Sequence, residues 1–150
     1  MDVSEESTDK VKDLLNREHL AVLGTSDHGH PYTSLVIYAV DETVDHLIFF
    51  TRRNTQKYRN IKSDGRVSVF VDSREKWAED PSTIEGVSLA GVAWEVKRSG
   101  GEFDLLKKLY LEKNPQMDFF AEDRDSALFK INIEMCKYVV NFDEAQELSL

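Results

Sequence analysis

The sequence predicts a mainly β fold, a small β-barrel with helical decorations. Three observations carry this: about seven short segments of strand character set off by turn signals, about three segments with a helical period, and no linker or repeat that divides the chain. At 150 residues the chain has the length of one domain, spanning 1–150, and can bury one substantial core.

Six to seven antiparallel strands and about three helices are expected, in this order. Ser7-Thr8-Asp9 offers capping side chains ahead of Val11, Leu14 and Leu15 at helical spacing, so a first amphipathic helix ends near Arg17 to His19. The apolar run Leu20 to Thr25 is a strand, Ser26 to Pro31 a turn, and the β-branched and aromatic stretch Tyr32 to Val40 a second strand. Asp41 to Asp45 turns the chain into a third strand, Leu47 to Thr51. Thr55, Tyr58, Ile61 and Lys62 then mark a helix face that closes at Asp64-Gly65, before the strand Val67 to Val71. Asp72 to Glu85 is polar, contains Pro81 and reads as a long loop. Val87 to Val96 is a strand in which Gly86 and Gly91 suggest close backbone approach or a bulge. After the break at Ser99-Gly100-Gly101, Phe103, Leu106, Leu109 and Tyr110 define a helix that stops before Pro115. Alternation over Phe129 to Met135, then Tyr138 to Phe142, predicts two closing strands.

Composition narrows the function. No apolar run approaches the roughly 18–20 residues of a membrane-spanning helix, so no membrane partner is expected. The acidic start Met1-Asp2-Val3-Ser4-Glu5-Glu6 lacks the basic and then apolar pattern of a secretory signal. Cys136 is the only cysteine, which excludes an internal disulfide and a cysteine-built zinc site; a reduced, cytoplasmic setting is the expectation. The net charge of −9 argues against nucleic acid as a partner. Its distribution is uneven: between Arg52 and Arg66 six cations face Asp64 alone, a net +5. A small anionic ligand and a solvated basic helix face both account for this island.

Other patterns carry no chemistry. Gly86-Val87-Ser88-Leu89-Ala90-Gly91 places its second glycine one residue late for a nucleophile elbow, so Ser88 is a sheet residue. His28 and His30 sit in a turn without further ligands, Asp41, Glu42 and Asp45 lack calcium-loop spacing, and Glu122-Asp123-Arg124-Asp125 reads as a solvated loop. No metal site is expected. The strongest constellation is Thr51-Arg52-Arg53-Asn54-Thr55-Gln56-Lys57, where a strand ends and a helix begins. A helix start offers unpaired N–H groups, Thr55 a hydroxyl, and Arg53 and Lys57 charge-assisted hydrogen bonds to a phosphate. Simple capping by Thr55, with the basic side chains in water, is the competing account.

Two blocks carry a family resemblance, Asp27-His28-Gly29-His30-Pro31-Tyr32-Thr33-Ser34 and Lys57-Tyr58-Arg59-Asn60-Ile61-Lys62-Ser63-Asp64-Gly65-Arg66-Val67-Ser68. In this order around the strand Leu47 to Thr51 they resemble the pyridoxamine 5'-phosphate oxidase-like FMN-binding split barrels. In that family a lysine, Arg-Asn-Leu, two polar residues, Asp or Asn, Pro and Arg-Val recur at this spacing. Ile61 stands here for the leucine and Gly65 for the proline. The resemblance covers Leu15 to Val96, and beyond it only the order of elements.

The resemblance implies a homodimer with FMN in a groove between subunits. The phosphate would lie near Thr51, Arg52, Arg53, Thr55 and Lys57, and the ring against Thr33, Ser34, Leu35, Val36 and Ile37. Gln56 stands where relatives often place a phosphate-binding arginine. Trp77 lies in the loop where an aromatic can cover a flavin, with a packing role as the alternative. The Arg-x-His motif with which true pyridoxamine phosphate oxidases hold their substrate does not occur between Phe129 and Leu150. The implied function is therefore a flavin-dependent oxidoreductase acting on some other small molecule. A flavin or haem carrier and a deazaflavin-dependent reductase of the same fold are the alternatives. A flavin brings its own reactivity, so no catalytic side chain is assigned.

Overall fold

The computed structural model describes residues 3–76, 78–143 and 145–150. Its elements are α1 (Val3–Arg17), β1 (Leu20–Asp27), β2 (His30–Val40), β3 (His46–Arg52), α2 (Gln56–Ser63), β4 (Arg66–Asp72), β5 (Glu85–Glu95), α3 (Gly101–Lys113), α4 (Asp118–Glu122), β6 (Ser126–Val140) and β7 (Gln146–Leu148). The sheet runs β3-β2-β1-β4-β5-β6-β7 with all neighbours antiparallel, and β3 also pairs with β6. That extra pairing closes six strands into a barrel and leaves β7 as an appendix to β6. The mainly β barrel expected from the strand pattern is the observed fold.

Side-chain alternation fills the barrel. In β4, Val67, Val69 and Val71 point inward while Arg66, Ser68 and Phe70 point out. The interior cluster joins them to Leu23, Val36, Leu89 and the stacked pair Phe49–Phe129, and α1 covers one end with Val11, Leu14 and Leu15. A second cluster lies outside the barrel, where Ala39, Ile48, Phe50 and Leu128 pack under Phe103, Tyr110 and Ala121 of α3 and α4. Strands β3 and β6 are thus buried on both faces there, which explains their unbroken apolar runs Leu47-Ile48-Phe49-Phe50 and Ala127-Leu128-Phe129.

Four expectations change. Helix α1 begins at Val3, not after the Ser7-Thr8-Asp9 cap: Glu5 and Glu6 occupy its first turn, where acids suit the helix dipole, and buried Ser7 hydrogen-bonds Gln146 of β7. Strands β1 and β2 continue through the expected turn, leaving only His28 and Gly29 at its tip with φ of 50° and 92°, the primed hairpin geometry. The two closing strands are one. Between the pairs Gly91↔Ile133 and Ala90↔Met135, Glu134 is an extra residue on β6, a bulge that shifts the inward set from Phe129 and Ile131 to Cys136 and Tyr138. A change of phase, not a break, separates the two apolar patterns, and the strand ends at Val140 because Asn141 and Phe142 adopt positive φ. Helix α4, five residues long, has too few turns to show a period.

Gly91 sits opposite this bulge, where an ideal Cβ would stand 1.9 Å from the Asn132 carbonyl oxygen. Only glycine fits that approach.

Candidate functional site

The strand-to-helix junction after β3 is built around Thr55. Its oxygen accepts from the Tyr58 N–H at 3.3 Å and its hydroxyl donates to the Arg52 carbonyl at 2.7 Å, so the side chain caps α2 and fixes the preceding turn. Helix α2 is anchored by Ile61 in the core and by buried Asn60, which donates to Thr25 at 3.0 Å.

Beside this junction opens a groove of about 370 Å³. Leu35, Val36 and Ile37 of β2, with Leu20 of β1, form one wall. Thr51, Arg52, Thr55 and Lys57 close one end, and Tyr110, Met117 and Phe120 from the α3–α4 region face the strand. Its size falls within the roughly 300–1,000 Å³ of small-molecule sites. Lys57 reaches over β2 to donate to the Leu35 carbonyl at 3.0 Å, and burial holds its ammonium below the ordinary lysine range. Arg52 lies over the Phe120 ring, 4.8 Å from its centroid, and is ion-paired with Asp123.

The basic island is neither wholly free nor wholly solvated. Arg52 pairs with Asp123, Arg53 and Lys62 share Glu95, and Arg66 pairs with Asp64. Arg53 donates to Glu95 at 2.6 Å and to the Tyr58 hydroxyl at 3.1 Å, and Tyr58 donates in turn to Glu95 at 2.9 Å. Burial alone would raise the Glu95 carboxyl, but the hydrogen bonds from Arg53 and Tyr58 hold it below the usual carboxylate range. Arg53 therefore serves an ion-pair cluster outside the groove. Among the described residues, Lys57 is the groove cation with no carboxylate within ion-pair distance.

Seven of the residues singled out from the sequence meet in the groove: Leu35, Val36, Ile37, Thr51, Arg52, Thr55 and Lys57. Thr33 and Ser34 do not line it. Ser34 pairs with core residue Leu23, which places it on the barrel side of β2, and its hydroxyl is buried without a hydrogen-bond partner. Gln56 is held along its own helix, donating to Asn60 at 2.7 Å and accepting from Arg59 at 3.2 Å. Trp77 lies outside the described residues.

Sequence reasoning missed Tyr110, which a helical period marks only as core, and Met117 and Phe120, which lie beyond Pro115 in pieces too short to show a period. It also missed Asp123, read as part of a solvated loop. The Asp123 carbonyl accepts from Arg98 at 2.6 Å and from the Ser126 N–H at 3.0 Å, and its carboxylate from the Asp125 N–H at 2.9 Å. The Asp125 carbonyl accepts in turn from the Arg53 N–H at 2.8 Å. The loop is tied to the end of β3.

A six-stranded antiparallel barrel with a groove at the end of its third strand defines a split-barrel protein. The chain belongs to the pyridoxamine 5'-phosphate oxidase family, whose model matches residues 7–140. It is 25% identical to a Schizosaccharomyces pombe protein described as a pyridoxamine 5'-phosphate oxidase homolog, over 91% of this chain and 87% of that one. Among solved structures it is similar to a haem binding protein from Mycobacterium smegmatis, with TM-score 0.81, 18% identity and coverage of 95% of this chain and 57% of that one. HutZ, the haem storage protein from Vibrio cholerae, matches with TM-score 0.75 and 18% identity over 88% and 92% of the two chains. An FAD-binding protein from Mesorhizobium loti matches with TM-score 0.69 and 20% identity over 87% and 90%. At these identities the solved structures show the shared fold alone.

Proposed function

We propose that the chain binds FMN and acts as a flavin-dependent oxidoreductase on a small organic molecule. One observation carries the reading: a single groove joins a cationic, hydroxyl-bearing end to a long apolar wall, the donor set a phosphorylated aromatic ligand requires. Lys57 and Arg52 would hold the phosphate beside the turn that Thr55 fixes, with Thr51 behind them, and the Leu35–Ile37 segment would bear the ring. Once bound, a flavin supplies two-electron chemistry of its own. The chain's residues bind and orient it, and Tyr110, Met117 and Phe120 keep water from one side of the groove.

A second copy is proposed to complete the site. Leu35, Val22, Phe70 and Ser88 lie side by side across β2, β1, β4 and β5 on the outer face of the barrel. The neighbouring row, Thr33, Gly24, Ser68 and Ala90, is small and uncharged. An uncharged face that begins at Leu35, itself a groove residue, supports a homodimer whose contact borders the ligand. Haem binding is the second reading, favoured by the haem proteins that share the fold.

Reconstitution tests both readings. FMN should bind near one per chain, and light scattering should give a dimer. Lys57→Ala should weaken FMN by about 10- to 150-fold, since a charged hydrogen bond contributes roughly 1.5–3 kcal/mol, and leave riboflavin unchanged. Failure to take up FMN together with stoichiometric uptake of haem would replace the first reading by the second.

A further inference from the structure

Asp123 is unlike the other carboxylates around the basic island. Glu95 neutralises cations that lie outside the groove, and Asp64 holds Arg66 across a two-residue step. Asp123 instead holds Arg52, a residue of the groove itself, from a loop strapped down by Arg98 and by the Asp125 and Ser126 N–H groups. The guanidinium rests on Phe120, another groove residue, so its place is set whichever anion it meets. The two side chains are 39% and 34% exposed, and an ion pair so open to water is weak. A phosphate dianion outcompetes such a partner, because it offers more charge and more acceptor oxygens.

We propose that Asp123 is an internal competitor for the anionic end of the ligand: it holds Arg52 until a phosphate displaces it, and thereby sets the charge the groove accepts. With Arg52 neutralised, Lys57 is the one uncompensated cation facing the ligand among the described residues. Displacement leaves Asp123 near the bound phosphate and opposes its second charge. The inference rests on the phosphate-binding reading of the groove.

The test compares FMN and riboflavin binding to the parent, Asp123→Asn and Glu122→Gln by fluorescence titration. Asparagine keeps the oxygen that accepts from the Asp125 N–H, and Glu122 is a neighbouring carboxylate that pairs with Lys107 instead. Asp123→Asn should tighten FMN about threefold to fivefold and leave riboflavin unchanged, while Glu122→Gln alters neither. The gain should shrink in about 1 M salt, where the Debye length is only about 3 Å. An unchanged FMN affinity, or an equal gain for riboflavin, would overturn the proposal. If the parent takes up neither flavin, the FMN reading fails but the competitor does not. Inorganic phosphate should then raise the melting temperature of Asp123→Asn more than that of the parent, and equal rises would refute it.

Discussion

Replacing Asn114 by alanine should destabilise the protein by about 3–4 kcal/mol. The residue is fully buried at the end of α3. Its amide donates to the Tyr38 carbonyl at 3.0 Å and to the Tyr110 carbonyl at 3.2 Å, and its oxygen accepts from His19 at 2.7 Å. Three hydrogen bonds at about 1 kcal/mol each, with the small cavity an alanine leaves, give that sum. For a chain of this length it corresponds to a fall in melting temperature of roughly 6–15 °C. Asn114→Asp separates hydrogen bonding from cavity formation, because it keeps the shape and the acceptor for His19 but loses both donors. Its carboxylate would face two carbonyls in a buried site, which favours the protonated form, so its folded pKa should exceed the unfolded value of about 3.9. Stability of this variant should therefore rise as pH falls towards that range. Urea melts at pH 8 and pH 5, read by circular dichroism with m held in common, decide the matter. A loss below about 1 kcal/mol for alanine, or an aspartate variant that matches the parent at pH 8, would refute the reasoning.

Two further outcomes are expected. Gly91→Ala should cost about 3 kcal/mol or more, since its Cβ would meet the Asn132 carbonyl oxygen at 1.9 Å and force β5 from β6; urea melts showing a loss under about 1 kcal/mol would contradict it. Lys113 donates to the Leu15 carbonyl at 2.8 Å and lies 3.9 Å over the Tyr38 ring, where burial pushes its ammonium down to about 8 although Glu18 acts the other way. The unfolded value is about 10.4, so its burial cost is complete below pH 8 and lifts as pH rises from 8 towards 10. Parent stability should gain about 1–2 kcal/mol over that window relative to Lys113→Met, allowing for partial exposure. Parallel melts of the two proteins at pH 7.5 and pH 10 check the difference.

What could be read from the chain follows the range of each signal. Strands β3 and β4 were legible because their signals are local, an unbroken apolar run in Leu47 to Phe50 and alternation in β4, Val67, Val69 and Val71 against Arg66, Ser68 and Phe70. The bulge at Glu134 was not, since one inserted residue looks the same as a boundary until the partner strand is known. The site divides likewise. Thr55 and Lys57 are marked by their place at a helix start, but Arg52 and Arg53 are neighbours that point to different partners. Asp123 and Glu95, distant in sequence, decide which of them faces the groove. The far wall could not be read at all, because Met117 and Phe120 gain their role only when α4 is laid across the barrel.

The closure of β3 on β6 also bears on how the barrel is made. Partners from His46↔Asn132 to Arg52↔Ser126 are about 80 residues apart in the chain, and their pairing must overcome the entropy of a long loop before it gains any contact. During synthesis the first five strands can assemble as an open sheet in which β3 has a bare hydrogen-bonding edge made of Leu47, Ile48, Phe49 and Phe50. Such an edge is a template for a second chain until β6 arrives to cover it. The last long strand is thus the step at which the nascent protein passes from a species able to aggregate to one without an open edge on β3.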